Sequence, residues 1–232
     1  MAEAMNNNLH NLPHVLAGFQ GPNIDTVAEI VDFVNNHNLA MTQLNTVKHM
    51  NADQATCGSG CSGNPYDAFW NFNPLGHGDI HELGHGLEHS KLRFDGVDGH
   101  ASTNPYSYYT KYMNYLSLGE LPNCQSLPIK NEFDLLQQSV QTADPSAFMK
   151  AANLNGWSQG MSIMVQMYAT AQKQGAVSNG WHLLPRLHII LREFEASKNE
   201  LNKWDGIKAQ LGFSLFDQNE AKSISNNDFL VV

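Results

Sequence analysis

The stretch GHGDIHELGHGLEHS, residues 76–90, contains ionisable side chains whose types and spacing suit metal-dependent hydrolysis. His81 and His85 are four residues apart, so a helix would place both imidazoles one turn apart on one face, where they could bind one metal ion. Glu82 lies beside them but is rotated around the helix, so its carboxylate could reach a water molecule near the metal. The H-E-x-x-H spacing is typical of zinc sites that use the glutamate as a general base.

A solvated, histidine-rich helix face is the alternative interpretation of the same letters. The residues that a helix would place on the opposite face, Ile80, Leu83, Gly84 and Leu87, are all apolar or small. That segregation favours a helix packed into the domain over one exposed on all sides. We therefore predict a helix over about residues 79–90 that carries two zinc ligands.

A catalytic zinc site needs a third protein ligand and one open position for water. The metzincin pattern H-x-x-G-x-x-H is excluded, because Glu88 and Lys91 stand where it requires glycine and histidine. Ligand-type residues that follow His85 are the candidates: Glu88, His89, Asp95, Asp98 and His100.

These candidates differ in their setting along the chain. Glu88 and His89 follow so closely that they suit an outer or solvated position better than a ligand position. Asp95 and Asp98 lie in FDGVDG, where Asp and Gly usually serve turn geometry. His100 stands just before a second predicted helix, with enough chain after His85 to turn back towards the metal.

Composition excludes several classes of partner. The chain has 232 residues, 42% of them hydrophobic, and a formal net charge of -9, which argues against nucleic acid or an anionic membrane surface. No apolar stretch is long enough to span a bilayer, and no export signal is visible at the first residues. We interpret residues 1–232 as a single metallopeptidase catalytic domain, excised from a longer chain. The oligomeric state cannot be predicted.

The cysteines leave two interpretations open. Cys57 and Cys61 lie in TCGSGCSG, a Gly- and Ser-rich loop, and could form a small disulfide in an oxidising compartment or remain free. Cys124 is interpreted as buried.

Hydrophobic periodicity predicts a mostly helical or α+β fold with a small sheet in the first third of the chain. A helix over 25–38 would be capped by Asp25, and one over 103–116 would carry Pro105 in its first turn. Gly175 would end a long helix whose Met-rich face, residues 161–167, packs in the core. The later predicted helices are 131–141, 145–153, 157–174 and 181–198.

HELGHGLE, the following GHASTNPYSYY and the preceding NADQATCGSGCSGNPYDAFWNFNPLGHGDI resemble the immunomodulating metalloprotease family of Gram-negative bacteria. The resemblance covers at least residues 13–115 and extends more distantly to enhancin-like peptidases that attack mucin-type glycoproteins. In the enhancin-like pattern a ligand glutamate precedes V-T-V-N, and the matching run here begins at His100. The resemblance thus implies His100 as the third zinc ligand, a zincin-like fold, and a Gly63-Asn64-Pro65 edge near the cleft.

The resemblance also implies an activity: cleavage of peptide bonds next to O-glycosylated Ser or Thr, outside the cytoplasm, with O-glycoproteins as substrates and Zn²⁺ as cofactor. Glu82 would be the general base, and Tyr108 or Tyr109 is a candidate donor to the scissile carbonyl oxygen. Trp181, His182 and Arg186 suit core or surface roles, or contact with a glycan. Two rivals stay open: a glycoprotein-binding module whose structural zinc has His77 or His89 as a fourth ligand, and a zinc hydrolase acting on a non-peptide bond.

Overall fold

The structure, a computed structural model, describes residues 2–44, 74, 76–92, 99–119, 134–135, 137–139, 141–149 and 156–196. Several sequence expectations fall outside these ranges: the pairing of Cys57 with Cys61, the burial of Cys124, the edge at 63–65, and the turn that contains Asp95 and Asp98. None of the described helices is long and apolar enough to cross a membrane.

The described chain is helical apart from one short pair of strands. The strands β1 (Phe19–Gln20) and β2 (Thr42–Gln43) pair in parallel, with Phe19 opposite Thr42. This arrangement confirms the predicted mostly helical fold with a small N-terminal sheet. The helices are α1 (Ala2–Asn6), α2 (Leu12–Leu16), α3 (Ala28–Asn36), α4 (His77–Leu87), α5 (Asn104–Leu118), α6 (Pro145–Met149), α7 (Gly156–Lys173) and α8 (Leu183–Ala196). A π-helical turn (Asn7–Asn11) joins α1 to α2, and 3-10 turns cover Ser90–Leu92, Gly99–Ser102 and Gly180–His182.

The predicted cap at Asp25 is wrong, because α3 begins later. Its N-cap is Val27, which has an extended backbone and makes no side-chain capping bond. Asp25 instead pairs with Asn11: its backbone N–H donates to Asn11 Oδ1 at 2.8 Å, and Asn11 Nδ2 donates to its carboxylate at 2.7 Å. Asp25 therefore pairs with a residue distant in the sequence and does not cap α3.

Other predicted helix signals are confirmed. Pro105 lies in the first turn of α5, where a missing N–H costs nothing. Gly175 follows α7 with a φ of +70°, a left-handed conformation that suits glycine at a helix end. The methionines of α7 are core residues, with Met161, Met164 and Met167 all at most 2% exposed.

The core forms where α4, α5, α7 and α8 meet. Trp181 is fully buried, with the rings of Tyr168 and Tyr109 at centroid distances of 5.3 and 5.8 Å. The predicted apolar face of α4 is buried against this core, with Ile80 1% exposed and Leu87 4% exposed. α7 packs against the Gly99–Ser102 turn, which leads into α5.

Candidate metal centre

The helix α4 supplies two of the predicted ligands and the predicted base. It starts after Gly76, which has an extended backbone, and ends at Leu87, where Glu88 returns to an extended conformation with ψ of 149°. His81 is 3% exposed, whereas His85 and Glu82 are partly exposed on the same side of the helix. The core contacts of the opposite face thus turn this side towards the surface.

The structure brings His81, His85 and His100 together. One candidate ligand nitrogen from each ring can be chosen so that all three lie within 4.8 Å of one another. The ring centroids are 4.9 Å apart for His81 and His85, 5.5 Å for His81 and His100, and 5.1 Å for His85 and His100. Rings at these distances can direct three nitrogens at one ion.

The 3-10 turn Gly99–Ser102 carries His100 into this position. The Thr103 hydroxyl donates to the carbonyl oxygen of His100 at 2.8 Å, and the Ser102 hydroxyl donates to Glu88. The second bond joins the turn to the end of α4, so the two segments that supply the histidines are tied directly to each other.

Glu88 lies behind His85. Its Oε1 is 3.2 Å from His85 Nδ1, and its side chain is only 3% exposed. A carboxylate accepting from Nδ1–H leaves Nε2 of the ring unprotonated, which is the form that binds a metal. Of the two adjacent residues Glu88 and His89, it is therefore Glu88 that orients the candidate ligand His85.

Burial determines the protonation of the site. Burial first, and then the neighbouring rings of His77, His85 and His100, lower the pKa of His81 to about 3. The ring is thus neutral at pH 7, as a metal ligand requires. Burial raises the pKa of the Glu82 carboxyl, although His85 and His100 oppose this shift.

Three imidazole side chains form a donor set that suits Zn²⁺. Within the part of the chain that the structure describes, the ligand group has three members, which leaves a coordination position for water or substrate. His85 already has its outer partner in Glu88, as zinc-binding histidines usually do. The residues present therefore fit the metal that sequence predicted.

His77 and His89, the proposed fourth ligands of a structural zinc site, have other neighbours. The His77 ring stacks on His81 at 5.5 Å, and Lys111 Nζ lies 3.2 Å from its Nδ1. His89 Nδ1 accepts from the backbone N–H of Lys91 at 3.2 Å, and its ring lies 6.4 Å from that of His188. Neither residue joins the ligand group found among the described residues.

The two candidate tyrosines lie on different faces of α5. The Tyr108 ring lies 6.1 Å from that of His77 and 5.3 Å from Lys111 Nζ. Tyr109 packs against Trp181 and lines a separate cavity of about 280 Å³ with Asn11 and Asp25 among its neighbours. Burial raises the pKa of Tyr109 to about 12.

The structure shows contacts within the domain for the three residues whose role the sequence left open between core or surface positions and glycan contact, namely Trp181, His182 and Arg186. Trp181 is fully buried. His182 Nδ1 lies 2.6 Å from the Glu29 carboxylate, and Arg186 donates to the same carboxylate at 2.9 Å. Ser178 also donates to Glu29, through its hydroxyl at 2.6 Å and its backbone N–H at 2.8 Å. This cluster joins α3 to α8.

Sequence reasoning gave no role to two residues beside the site. Asn104 Oδ1 lies 3.1 Å from His81 Nδ1, and Lys111, a lysine that is only 4% exposed, contacts His77. Asn104 and Lys111 are seven residues apart, a helical spacing that places them on one face. The sequence shows that spacing, but it does not show which residues of α4 the two side chains contact.

No family model matches the chain. The immunomodulating metalloprotease of Pseudomonas aeruginosa is 29% identical over 245 residues, a match that covers 94% of this chain and 25% of that protein. The resemblance predicted from the motifs is confirmed.

Solved structures extend the likeness to the fold. The IMPa metallopeptidase from Pseudomonas aeruginosa has a TM-score of 0.65 and 26% identity over 91% of this chain and 25% of that chain. The IMPa metallopeptidase in complex with T-antigen has a TM-score of 0.66 and 24% identity, over 98% of this chain and 27% of that chain. IMPa in complex with an O-glycopeptide has a TM-score of 0.65 and 23% identity over the same shares. The chain thus spans about a quarter of the length of these relatives.

Proposed function

We propose that this chain is the catalytic domain of a zinc-dependent endopeptidase that acts outside the cytoplasm on glycoproteins, next to O-glycosylated Ser or Thr. The observation that carries the proposal is the convergence of His81, His85 and His100 beside Glu82. The similarity to a metalloprotease supports the peptidase reaction. The relatives solved with T-antigen and with an O-glycopeptide support the substrate class.

The residues of the chain have separate tasks in this reaction. Zn²⁺ held by the three histidines would act as a Lewis acid on the scissile carbonyl and lower the pKa of water. Glu82 takes the proton of the attacking water and delivers it to the leaving amine. Its raised pKa brings the carboxyl closer to the range in which a general base and acid works near neutral pH. Glu88 keeps the His85 ring in the ligand orientation.

The negative charge that develops on the carbonyl oxygen needs a donor besides the metal. Tyr108 and Tyr109 are the candidates. The packing of Tyr109 against Trp181 suits a structural role, so we favour Tyr108. Tyr108→Phe should then lower kcat by about 10²- to 10³-fold, the usual cost of losing such a donor, whereas Tyr109→Phe should leave it nearly unchanged.

The test of the peptidase proposal compares Glu82→Gln with the unsubstituted protein. The variant should keep its zinc but lose about 10²- to 10⁴-fold in kcat, because an amide cannot accept the proton. Glu193→Gln, the same change at an exposed position of α8, is the matched control and should retain full activity. Full activity in Glu82→Gln would refute the assignment of the base.

The substrate class has its own test. A peptide with one O-glycosylated Ser or Thr should be cleaved next to that residue, and its bare counterpart should be cleaved poorly. Binding energy from the sugar can orient the peptide, so the sugar should affect kcat as well as KM. Equal kcat/KM on both peptides would remove the glycan requirement and leave the peptidase proposal intact.

A further inference from the structure

Buried polar side chains lie behind the candidate metal site, between α4 and α5. Asn104 is 2% exposed and Lys111 is 4% exposed. They are seven residues apart, two turns along one face of α5, and they meet His81 and His77, which are four residues apart on α4. The pairs His81–Asn104 and His77–Lys111 show that the two helices run antiparallel here.

The contact of Lys111 with His77 fixes the direction of the first hydrogen bond. Lys111 Nζ lies 3.2 Å from His77 Nδ1. An ammonium group has three donors and no acceptor, so Nδ1 of His77 accepts and the proton of the neutral ring is on Nε2. The His77 ring also stacks on the ring of His81, at a centroid distance of 5.5 Å.

The amide of Asn104 reaches the ligand histidine. Asn104 Oδ1 lies 3.1 Å from His81 Nδ1. An amide oxygen only accepts, so this contact requires the proton of His81 on Nδ1 and leaves Nε2 for the metal. A reversed amide would present its NH₂ group, which only donates, and would favour the opposite tautomer.

We propose that Asn104 is a positioning residue that sets the tautomer of His81, and that the Lys111–His77 pair holds the His77 ring in its stacked position against His81. This inference rests on the proposed zinc function. It also accounts for the burial of a lysine and an amide at this point, since buried polar groups are retained where they have partners. Thr103 does not select between the tautomers, because its Oγ1 lies 3.0 Å from Nδ1 and 3.1 Å from Nε2 of His81.

The first experiment reads the tautomer directly in the unsubstituted, zinc-loaded protein. Long-range ¹H–¹⁵N correlation spectra of the histidine rings should show His81 protonated on Nδ1 and with Nε2 on the metal. The opposite assignment, with Nδ1 on the metal, would overturn the inference without affecting the existence of the zinc site. This measurement does not depend on the folding of any variant.

The second experiment measures zinc affinity by competition with a chromophoric chelator. Asn104→Leu removes the acceptor and should weaken zinc binding about 10- to 100-fold, the usual effect of losing an outer partner, whereas Asn104→Asp should stay within about threefold of the unsubstituted protein. Asn114→Leu is the matched control, because Asn114 is also buried on α5 but donates to Asn8, away from the metal. Circular dichroism would confirm that each metal-free variant is folded.

The outcomes separate the inference from the function on which it rests. If Asn104→Leu binds zinc as tightly as Asn114→Leu, or if Asn104→Asp is as weak as Asn104→Leu, the role of Asn104 is refuted. Lys111→Met should lower zinc affinity several-fold, by less than Asn104→Leu, and an unchanged affinity would remove the Lys111–His77 part. If the unsubstituted protein binds no zinc, the proposed function itself fails.

Discussion

Gly84 and Gly86 of α4 should respond differently to the same substitution by alanine. A Cβ atom on Gly84 would lie 2.8 Å from Tyr106 Cδ2 and 3.2 Å from the backbone oxygen of Thr103. Tyr106 is fully buried, and its hydroxyl is hydrogen-bonded to His188 Nε2 at 2.9 Å, so its ring is held at both ends. A Cβ on Gly86 would have nothing within 4 Å.

The magnitude follows from these contacts. To restore an ordinary contact of 3.4 Å, the Tyr106 ring would have to move away from Gly84 by about 0.6 Å. Overpacking of this kind costs about 1–3 kcal/mol, while replacing a helical glycine by alanine returns up to about 1 kcal/mol. Gly86→Ala should therefore raise the free energy of unfolding by about 0.5–1 kcal/mol, and Gly84→Ala should leave it unchanged or lower it by up to about 2.5 kcal/mol.

The assay is urea unfolding of both variants without metal, followed by measurement of zinc affinity. The gain in helix propensity is common to both variants, so the difference between them, about 1–3 kcal/mol, isolates the clash. A shift of α5 against α4 by the same distance of about 0.6 Å also exceeds the roughly 0.5 Å that a preorganised site tolerates. Only Gly84→Ala should therefore weaken zinc binding. If Gly84→Ala is as stable as Gly86→Ala, the close packing of the two helices at this glycine is refuted.

Three further predictions concern the site and its frame. His100→Ala should weaken zinc binding, measured by chelator competition, by more than the roughly 100-fold that losing an outer partner can cost, whereas His89→Ala should have little effect. The reverse order would show that His100 is not the third ligand. Burial lowers the pKa of His77 to about 4 and that of His81 to about 3, so below the ordinary value of 6.5 the unfolded chain binds protons that the native chain does not. The free energy of unfolding of the metal-free protein should thus fall as the pH falls from about 6.5 to 4, by up to about 1.4 kcal/mol per pH unit for each histidine, and a flat profile by urea unfolding would contradict this. Glu29→Ala should destabilise the protein by about 1–3 kcal/mol with unchanged zinc affinity, and a loss of glycopeptide binding without loss of stability would instead support a substrate-binding role for its partners.

The chemistry of α4 could be predicted from the sequence because it depends on local geometry. The rise and rotation of a helix are fixed, so residues four apart necessarily share a face. The spacing of His81, Glu82 and His85 and the apolar letters opposite them therefore determined which side faces the core. The end of α7 near Gly175 and the place of Pro105 in α5 were also predictable, because glycine at a helix end and proline in a first turn act through local backbone geometry.

Signals that depend on distant partners were not predictable. Asp25 has the residue type of a helix cap, but Asn11 provides it with two hydrogen bonds, and α3 starts at Ala28 instead. Glu88 and His89 are neighbours with similar chemistry in the sequence. Only the end of α4 at Leu87 and the bond from Ser102 direct the Glu88 carboxylate to His85.

The sequence by itself determined which helix carries the candidate ligands His81 and His85 and the candidate base Glu82, while the tertiary structure decided how the candidate site is completed. The turn that carries His100 packs against α7 and is bonded to the end of α4 through Ser102 and Glu88. Asn104 and Lys111 reach His81 and His77 because α5 packs antiparallel to α4. Spacing along one helix is set by covalent geometry and backbone hydrogen bonds. The distance between residues on different helices is set by how their side chains pack, and one sequence pattern does not contain that information.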